Sequence, residues 1–359
     1  MKVGIAAAGS GGHVYPALAV ADALVELGLA KDDIVFFGGD RMEAETVPRA
    51  GYPFVAVDVH GIRRSLSIDN LKLPFKVRTA ARRIAEEVES DGIAAMVVFG
   101  GYVSGPAGLA ARKRRIPLVI HEANAVPGVA NRLLAPVAET VYVAFAPATA
   151  KLKDAVVIGN PVRRAFEVFD RASLRRDARL SYGIDPEVTV LGVFGGSLGA
   201  AALNEIAEIL AKDPDRAFEV LHVTGTPHFD DINSRASVVD GWHVVAFEEQ
   251  MERLYAAVDV VISRAGAMTI SELHATATPA VVVPLPAGKG YQARNADDLV
   301  KAGGAVVIDQ GETDRIIATA VELLLSEEKR KRMADTASAS QPRGVARTIA
   351  EHVLEVARV

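Results

Sequence analysis

Short apolar runs recur along the chain, separated by longer stretches with helical spacing. The runs fall at residues 2–8, 34–38, 54–59, 95–99, 118–121, 141–145 and 156–158. After Gly159-Asn160-Pro161 the pattern restarts, with runs at 189–194, 219–223, 243–247, 260–263, 280–284 and 305–308. They are rich in Val and Ile and mostly lack the alternation of a half-exposed strand, which is how strands covered on both faces read. Strands alternating with helices predict the α/β class with parallel sheets. The restart predicts two doubly wound, Rossmann-like domains, residues 1–160 and 161–340. A terminal helix in 341–359 is expected to pack back on the first. Two such domains are expected to face a cleft and to hold their ligands at the carboxyl ends of the strands.

Composition narrows the classes. At 359 residues, half of them hydrophobic, the chain is long enough for two cores. A formal net charge of −5 gives no reason to expect nucleic acid. The chain has no cysteine, which removes disulfides, thiolate metal sites and cysteine nucleophiles and fits a reducing compartment. The apolar run after Lys2 stops at Gly9 without a cleavage pattern, so it reads as a buried first strand rather than a signal peptide. No stretch approaches the about 20 apolar residues of a membrane-spanning helix.

Glycine-rich turns follow a strand in each half. Gly9-Ser10-Gly11-Gly12-His13 comes after the first run, and Gly195-Gly196-Ser197-Leu198-Gly199 after the run at 189–194. Each opens a helical stretch, which places free backbone N–H groups and the positive helix end where a phosphate can bind. The first is neither the dinucleotide fingerprint, since Val14 takes the third glycine's place, nor a Walker loop. A third such turn is Gly100-Gly101-Tyr102-Val103-Ser104-Gly105-Pro106. Two phosphate cradles point to two phosphorylated ligands.

The motifs occur in a specific order. Gly9 to Pro16, Gly100 to Pro106 and His121-Glu122-Ala123-Asn124 are followed by Gly159-Asn160-Pro161-Val162-Arg163 and Gly195 to Ala200. Arg264-Ala265-Gly266-Ala267-Met268-Thr269-Ile270-Ser271-Glu272 and Gln292-Ala293-Arg294-Asn295 complete the set. In this order they resemble the MurG family, bacterial transferases that add N-acetylglucosamine to the undecaprenyl-linked muramyl-pentapeptide lipid I. The resemblance runs from Lys2 to about Ile308. It implies a GT-B fold, UDP-N-acetylglucosamine (UDP-GlcNAc) as donor, lipid II as product and no cofactor.

Residue by residue, the resemblance implies a donor site drawn from both halves. Ser10, Gly11, Gly12 and Asn124 belong to it. Arg163 and Ser197 would meet the diphosphate, with Ala267, Met268 and Thr269 beside it. Phe247 would pack by the uracil and the backbone of Glu248 would read its edge. Glu272 would take the ribose hydroxyls and Gln292 the sugar. Ser10, His13, Tyr102 and Asn124 would face the acceptor. His13 and Glu122 compete for the role of general base. Tyr291, Ser10 and Ala265 depart from the residues common in the family and bear on sugar contacts, not on charge.

Plainer readings stand beside these. Thr269-Ile270-Ser271-Glu272 also spells a capping box, and Gln292 and Asn295 would share one helix face. Asp213-Pro214-Asp215 spells a metal-binding D-x-D, but it falls after a helix, at the end away from the strands' carboxyl ends, so no metal is expected. In 62–83, Leu66, Ile68, Leu71, Leu73, Phe75 and Val77 alternate with Arg63, Arg64, Lys72, Lys76, Arg78, Arg82 and Arg83. With Arg112-Lys113-Arg114-Arg115, this mixture suits an anionic membrane surface or an ordinary amphipathic helix. The expectation is a peripheral enzyme on the cytoplasmic face of the membrane. Its rivals are a related transferase with another acceptor, a sugar-nucleotide epimerase and a non-catalytic carrier-lipid binding protein.

Overall fold

The computed structural model describes residues 1–58, 73–196, 198–286 and 290–358. The chain divides into two compact units, Met1–Arg164 with Pro342–Val359, and Ala165–Gln341.

The first unit is built on β1 (Lys2–Ala6), β2 (Ile34–Gly38), β3 (Phe54–Ala56), β4 (Ile93–Val98), β5 (Leu118–Glu122), β6 (Thr140–Val143) and β7 (Val156–Val157). They form one sheet in the order β3-β2-β1-β4-β5-β6-β7, parallel throughout. Val3, Ile5 and Ala7 share a core with Ala17, Val20 and Leu24 of the helix Gly11–Glu26. Ile349 and Val353 of the helix Val345–Val356 join them. Ala6 and Ala8 face the other way, toward Ile84 and Val88 of Leu73–Ser90 and Ala107 and Ala111 of Ser104–Arg114. Apolar cover on both faces is why the strand reads as an unbroken apolar run.

The second unit holds β8 (Val190–Phe194), β9 (Glu219–Val223), β10 (Trp242–Val245), β11 (Val260–Ser263), β12 (Ala280–Val282) and β13 (Ala305–Val307). The order is β10-β9-β8-β11-β12-β13, again all parallel. Leu191 and Val193 pack with Leu203, Ile206 and Leu210 of the helix Ala201–Ala211 and with Ile316 and Ala320 of Thr313–Leu325. The helix Arg171–Ser181 reads as a solvated charged segment, yet Arg179 is completely buried. Its Nε donates to the Ala257 carbonyl at 2.9 Å and its Nη2 to Asp259 at 2.7 Å. Asp259 also accepts from Arg175 and from the Val190 N–H, both at 2.8 Å. A buried ion pair with every partner satisfied thus pins this helix to the starts of β8 and β11.

In each sheet the strand order reverses beside the first strand, between β1 and β4 and between β8 and β11. Ligands of doubly wound sheets bind outside the carboxyl ends at this switch point. The first unit keeps residues 159 and 160. His121 Nε2 donates to the Gly159 carbonyl at 3.0 Å and Asn160 Nδ2 to the Ala123 carbonyl at 3.2 Å. The units therefore part a few residues beyond the Asn160-Pro161 turn.

Two buried histidines make the fold acid-sensitive. His121 and His222 are both fully buried, and each uses Nε2 in a hydrogen bond, to Gly159 and to Asn204 Oδ1. Their Nδ1 atoms face no acceptor, so a second proton would be a buried charge without a partner. Burial lowers His121 from 6.5 to about 4 and His222 to about 3. The unfolded chain then binds protons first, and stability is lost as pH falls from 6.5 toward 4. Melting temperature is expected to drop across that interval, above the carboxylate range. The double variant His121→Gln, His222→Gln, whose amides keep a donor, should flatten the drop. An unchanged pH profile in that variant would contradict this account.

Candidate active site

The helices that follow the switch-point strands start without protection. Gly11–Glu26 follows β1 and Ser104–Arg114 follows β4. Neither has a side-chain cap hydrogen bond or an acidic residue in its first turn. The same holds for Ala201–Ala211 after β8 and Ala267–Thr276 after β11. In the second unit the helices after β9, β10 and β12 differ. Phe229–Ala236 begins with Asp230 and Asp231, Met251–Ala257 carries Glu252, and Asp297–Lys301 carries Asp297 and Asp298. N–H groups left open at a positive helix end, with no local carboxylate, suit an anion.

In the first unit the β1 turn, the β4 turn and the end of β5 lie on one sheet edge. Ser10 is the N-cap residue, with Gly11 and Gly12 next in the helix and His13 one turn in. Ser10 Oγ lies 3.4 Å from His13 Nδ1. The imidazole rests on Gly100 and Gly101, which have φ of 95° and 79°. A Cβ on Gly101 would stand 2.3 Å from the Ala8 carbonyl oxygen, so only glycine lets the β4 turn lie against the β1 turn. Burial depresses His13 from 6.5 to about 4 against an opposing pull from the Glu43 charge, so the ring is neutral at neutral pH. Tyr102 donates its hydroxyl to Glu43 at 2.8 Å, and the Arg41 guanidinium sits 5.7 Å above its ring centre.

Glu122, the other candidate for the base, is tied into its own loop. Its Oε1 accepts from the Asn124 N–H at 3.0 Å and from Asn124 Nδ2 at 3.3 Å. Its Oε2 accepts from the Gly128 N–H at 3.0 Å and Asn131 Nδ2 at 2.9 Å. Burial pushes this carboxyl up while these donors pull it down, and burial wins. Both oxygens are spent on shaping the loop that presents Asn124. Arg163, expected to meet the donor diphosphate, lies at the end of the first unit. Its guanidinium lies 5.5 Å above the Tyr15 ring centre.

In the second unit Phe247 lies just past β10 and is 44% exposed, an open aromatic face at a strand's carboxyl end. Glu248 Oε1 accepts the Gln250 N–H at 2.7 Å, and Tyr182 donates its hydroxyl to Glu248 Oε2. Ser197 lies outside the described residues. Gly199 closes the β8 turn by donating to the Gly196 carbonyl at 2.9 Å. Ala267, Met268 and Thr269 form the first turn after β11, with Gly266 as N-cap. Thr269 is therefore inside the helix, and the capping-box reading of Thr269 and Glu272 fails because the helix starts earlier. Glu272 instead accepts the Tyr255 hydroxyl at 3.2 Å. Gln292 Oε1 accepts the Leu285 N–H at 3.0 Å beyond β12. Asn295 does not share its face, since it is buried and donates to the Ala265 carbonyl at 3.0 Å. Asp213 Oδ1 accepts the Asp215 N–H at 3.0 Å, so the D-x-D closes a turn after Ala201–Ala211.

Sequence reasoning missed Glu43 and Asn131, which are buried and hold the loops that carry the predicted residues. Nothing in their local spacing marks them. Replacing Glu122 by Ala would strand the Gly128 and Asn131 donors. A loss of about 2–4 kcal/mol in chemical denaturation is expected. A stability change under about 0.5 kcal/mol, within the range of an ordinary surface substitution, would show that the loop does not depend on this carboxylate.

Residues 3–143 match the Glycosyltransferase family 28 N-terminal domain and residues 190–349 the corresponding C-terminal domain. The UDP-N-acetylglucosamine–N-acetylmuramyl-(pentapeptide) pyrophosphoryl-undecaprenol N-acetylglucosamine transferase of Mycolicibacterium smegmatis is 38% identical over 100% of this chain and 94% of its own. The Paenarthrobacter aurescens protein of that name is 40% identical over 99% of this chain and 96% of its own. Among solved structures, Acinetobacter baumannii MurG matches with a TM-score of 0.76 at 28% identity, covering 99% of this chain and 100% of that one. UDP-GlcNAc 2-epimerase from Neisseria meningitidis, with a TM-score of 0.68 at 15% identity over 99% of this chain and 100% of that one, shares the fold. The two parallel-sheet units are thus of the GT-B class, and the chain belongs to the MurG family of N-acetylglucosamine transferases.

Proposed function

We propose that this chain is an inverting glycosyltransferase that moves N-acetylglucosamine from UDP-GlcNAc to the C4 hydroxyl of the N-acetylmuramyl residue of lipid I. The product is lipid II, for peptidoglycan synthesis. One observation carries the reading: in the second unit the helices after β8 and β11 start uncapped and acid-free, while those after β9 and β10 start with acids. A diphosphate is the ligand such a pair of starts suits. Phe247 gives the uracil an apolar face, Glu272 accepts from the ribose hydroxyls, and Gln292 meets the sugar.

In the reaction the acceptor oxygen attacks the anomeric carbon as the bond to the UDP oxygen breaks. Charge grows on the leaving diphosphate, where helix N–H groups and Ser197 stabilise it without reorganising. The hydroxyl proton passes to His13, whose neutral ring is ready to accept it. Glu122 is the weaker candidate for base because its lone pairs are occupied. Ser10, Tyr102 and Asn124 orient the acceptor.

A polyprenyl-linked acceptor supports a peripheral enzyme at the membrane, and a UDP-sugar donor supports its cytoplasmic face. Among the described residues no helix is long and apolar enough to cross the membrane. Residues 62–72 lie outside the described part. In Leu73–Ser90, Phe75 is 75% exposed and Arg78, Arg82 and Arg83 are exposed with it. Arg112, Lys113 and Arg115 are also exposed, whereas Arg114 turns in to the Ala85 carbonyl at 2.7 Å. An anionic leaflet is the partner that this mixture of apolar and basic residues suits.

Incubation with UDP-GlcNAc and a soluble lipid I analogue should release UDP and form the β-linked disaccharide. UDP-GlcNAc alone should give neither UDP nor an epimer. His13→Ala should lower kcat about 100-fold or more with donor KM unchanged. Glu272→Ala should raise donor KM about tenfold or more in a folded protein. Epimerisation without acceptor would overturn the reading, and full activity in His13→Ala would remove His13 from the base role.

A further inference from the structure

Glu43 is 0% exposed, and its carboxylate is where three loops meet. Oε2 accepts the Gly9 N–H at 3.1 Å, and Oε1 accepts the Gly39 N–H at 3.0 Å and the Tyr102 hydroxyl at 2.8 Å. Gly9 follows β1, Gly39 follows β2 and Tyr102 follows β4, and these strands are neighbours in the order β2-β1-β4. The carboxylate comes from the first turn of the short helix Glu43–Arg49. Burial works against its charge, but the backbone N–H groups and the Tyr102 hydroxyl outweigh burial and hold it below the usual carboxylate range. Glu43 is therefore an anion at neutral pH.

The partners of this anion belong to the candidate site. Gly9 precedes Ser10, Tyr102 faces the proposed acceptor, and the charge acts on His13. An imidazole that takes up a proton becomes a cation, which a fixed carboxylate nearby favours. The space beside Glu43 is reserved for the phenol: a Cβ on Gly39 would stand 2.0 Å from the Tyr102 hydroxyl oxygen. A carboxylate needed only for stability could bind any loop donors. This one gathers the turn before the helix of His13 and the Tyr102 phenol, and its charge reaches the His13 ring.

We propose that Glu43 is a positioning residue of the transfer reaction, fixing the Gly9–Ser10 turn and the Tyr102 phenol around His13 and supporting that ring as it takes the acceptor's proton. This rests on the transferase reading above, and the test separates the two.

Glu43→Gln keeps shape and one acceptor oxygen but removes the charge. Rates are taken per active site, with sites counted by UDP calorimetry, so that lost folding does not pass for lost catalysis. The expected result is a kcat about 10- to 100-fold lower, with donor KM within about twofold of the parent. Gly39→Ala, which pushes the phenol off an intact Glu43, should lower kcat in the same way and serves if Glu43→Gln does not fold. Adding Tyr102→Phe to Glu43→Gln should cost little more, because the two act as one unit. The 15N shifts of the His13 ring should move in Glu43→Gln, a readout that needs no turnover. A parent protein that transfers nothing would sink the transferase reading while leaving this readout intact. Parental kcat per site in both Glu43→Gln and Gly39→Ala, or unmoved His13 shifts in Glu43→Gln, would overturn the proposal.

Discussion

A helix that begins after a central parallel strand leaves backbone N–H groups at the carboxyl edge of the sheet. In this chain the strands on either side of each switch point are followed by such helices with no cap and no acid in the first turn. The constraint explains much of the rest. Open donors at a positive helix end have to be met by water or an anion. The turns must be tight enough to bring those donors together, hence the glycines. In the second unit acids sit instead in the helices after β9, β10 and β12, as Asp230, Asp231, Glu252, Asp297 and Asp298.

Buried carboxylates form the second layer of organisation. Glu43 gathers the ends of β1, β2 and β4, Glu122 shapes the loop after β5, and Asp259 anchors the helix Arg171–Ser181. Each spends its oxygens on several donors, which is what makes a buried charge tolerable. The loops that carry Ser10, Tyr102 and Asn124 are thereby set before any ligand arrives. Preorganised donors need no rearrangement when charge develops, which is how such an edge becomes catalytic.

The strands and their two-sheet grouping were legible because both faces are covered, and apolar runs survive translation into a sheet of either unit. Ends were less so: the run at 2–8 continues past β1 because Ala7 and Ala8 are buried in the turn itself. Glycine turns were legible from composition alone. Buried polar residues were not. Glu43 lies between Asp40 and Glu45 in a polar stretch, and no spacing rule says which acid turns inward. Arg179 sits in a helix of high charge that reads as solvated. The Thr269–Glu272 spacing matched a capping box, but spacing does not fix where a helix starts, and Gly266 takes the N-cap. Long-range partners decide each of these cases.

The central claim is that free N–H groups after β8 and β11 hold the diphosphate of the donor. Amide hydrogen exchange with and without UDP tests it most directly. Protection is expected at residues 198–203 and 265–270. Protection confined to the first unit, or UDP binding that leaves both segments of the second unit exchanging as before, would contradict it.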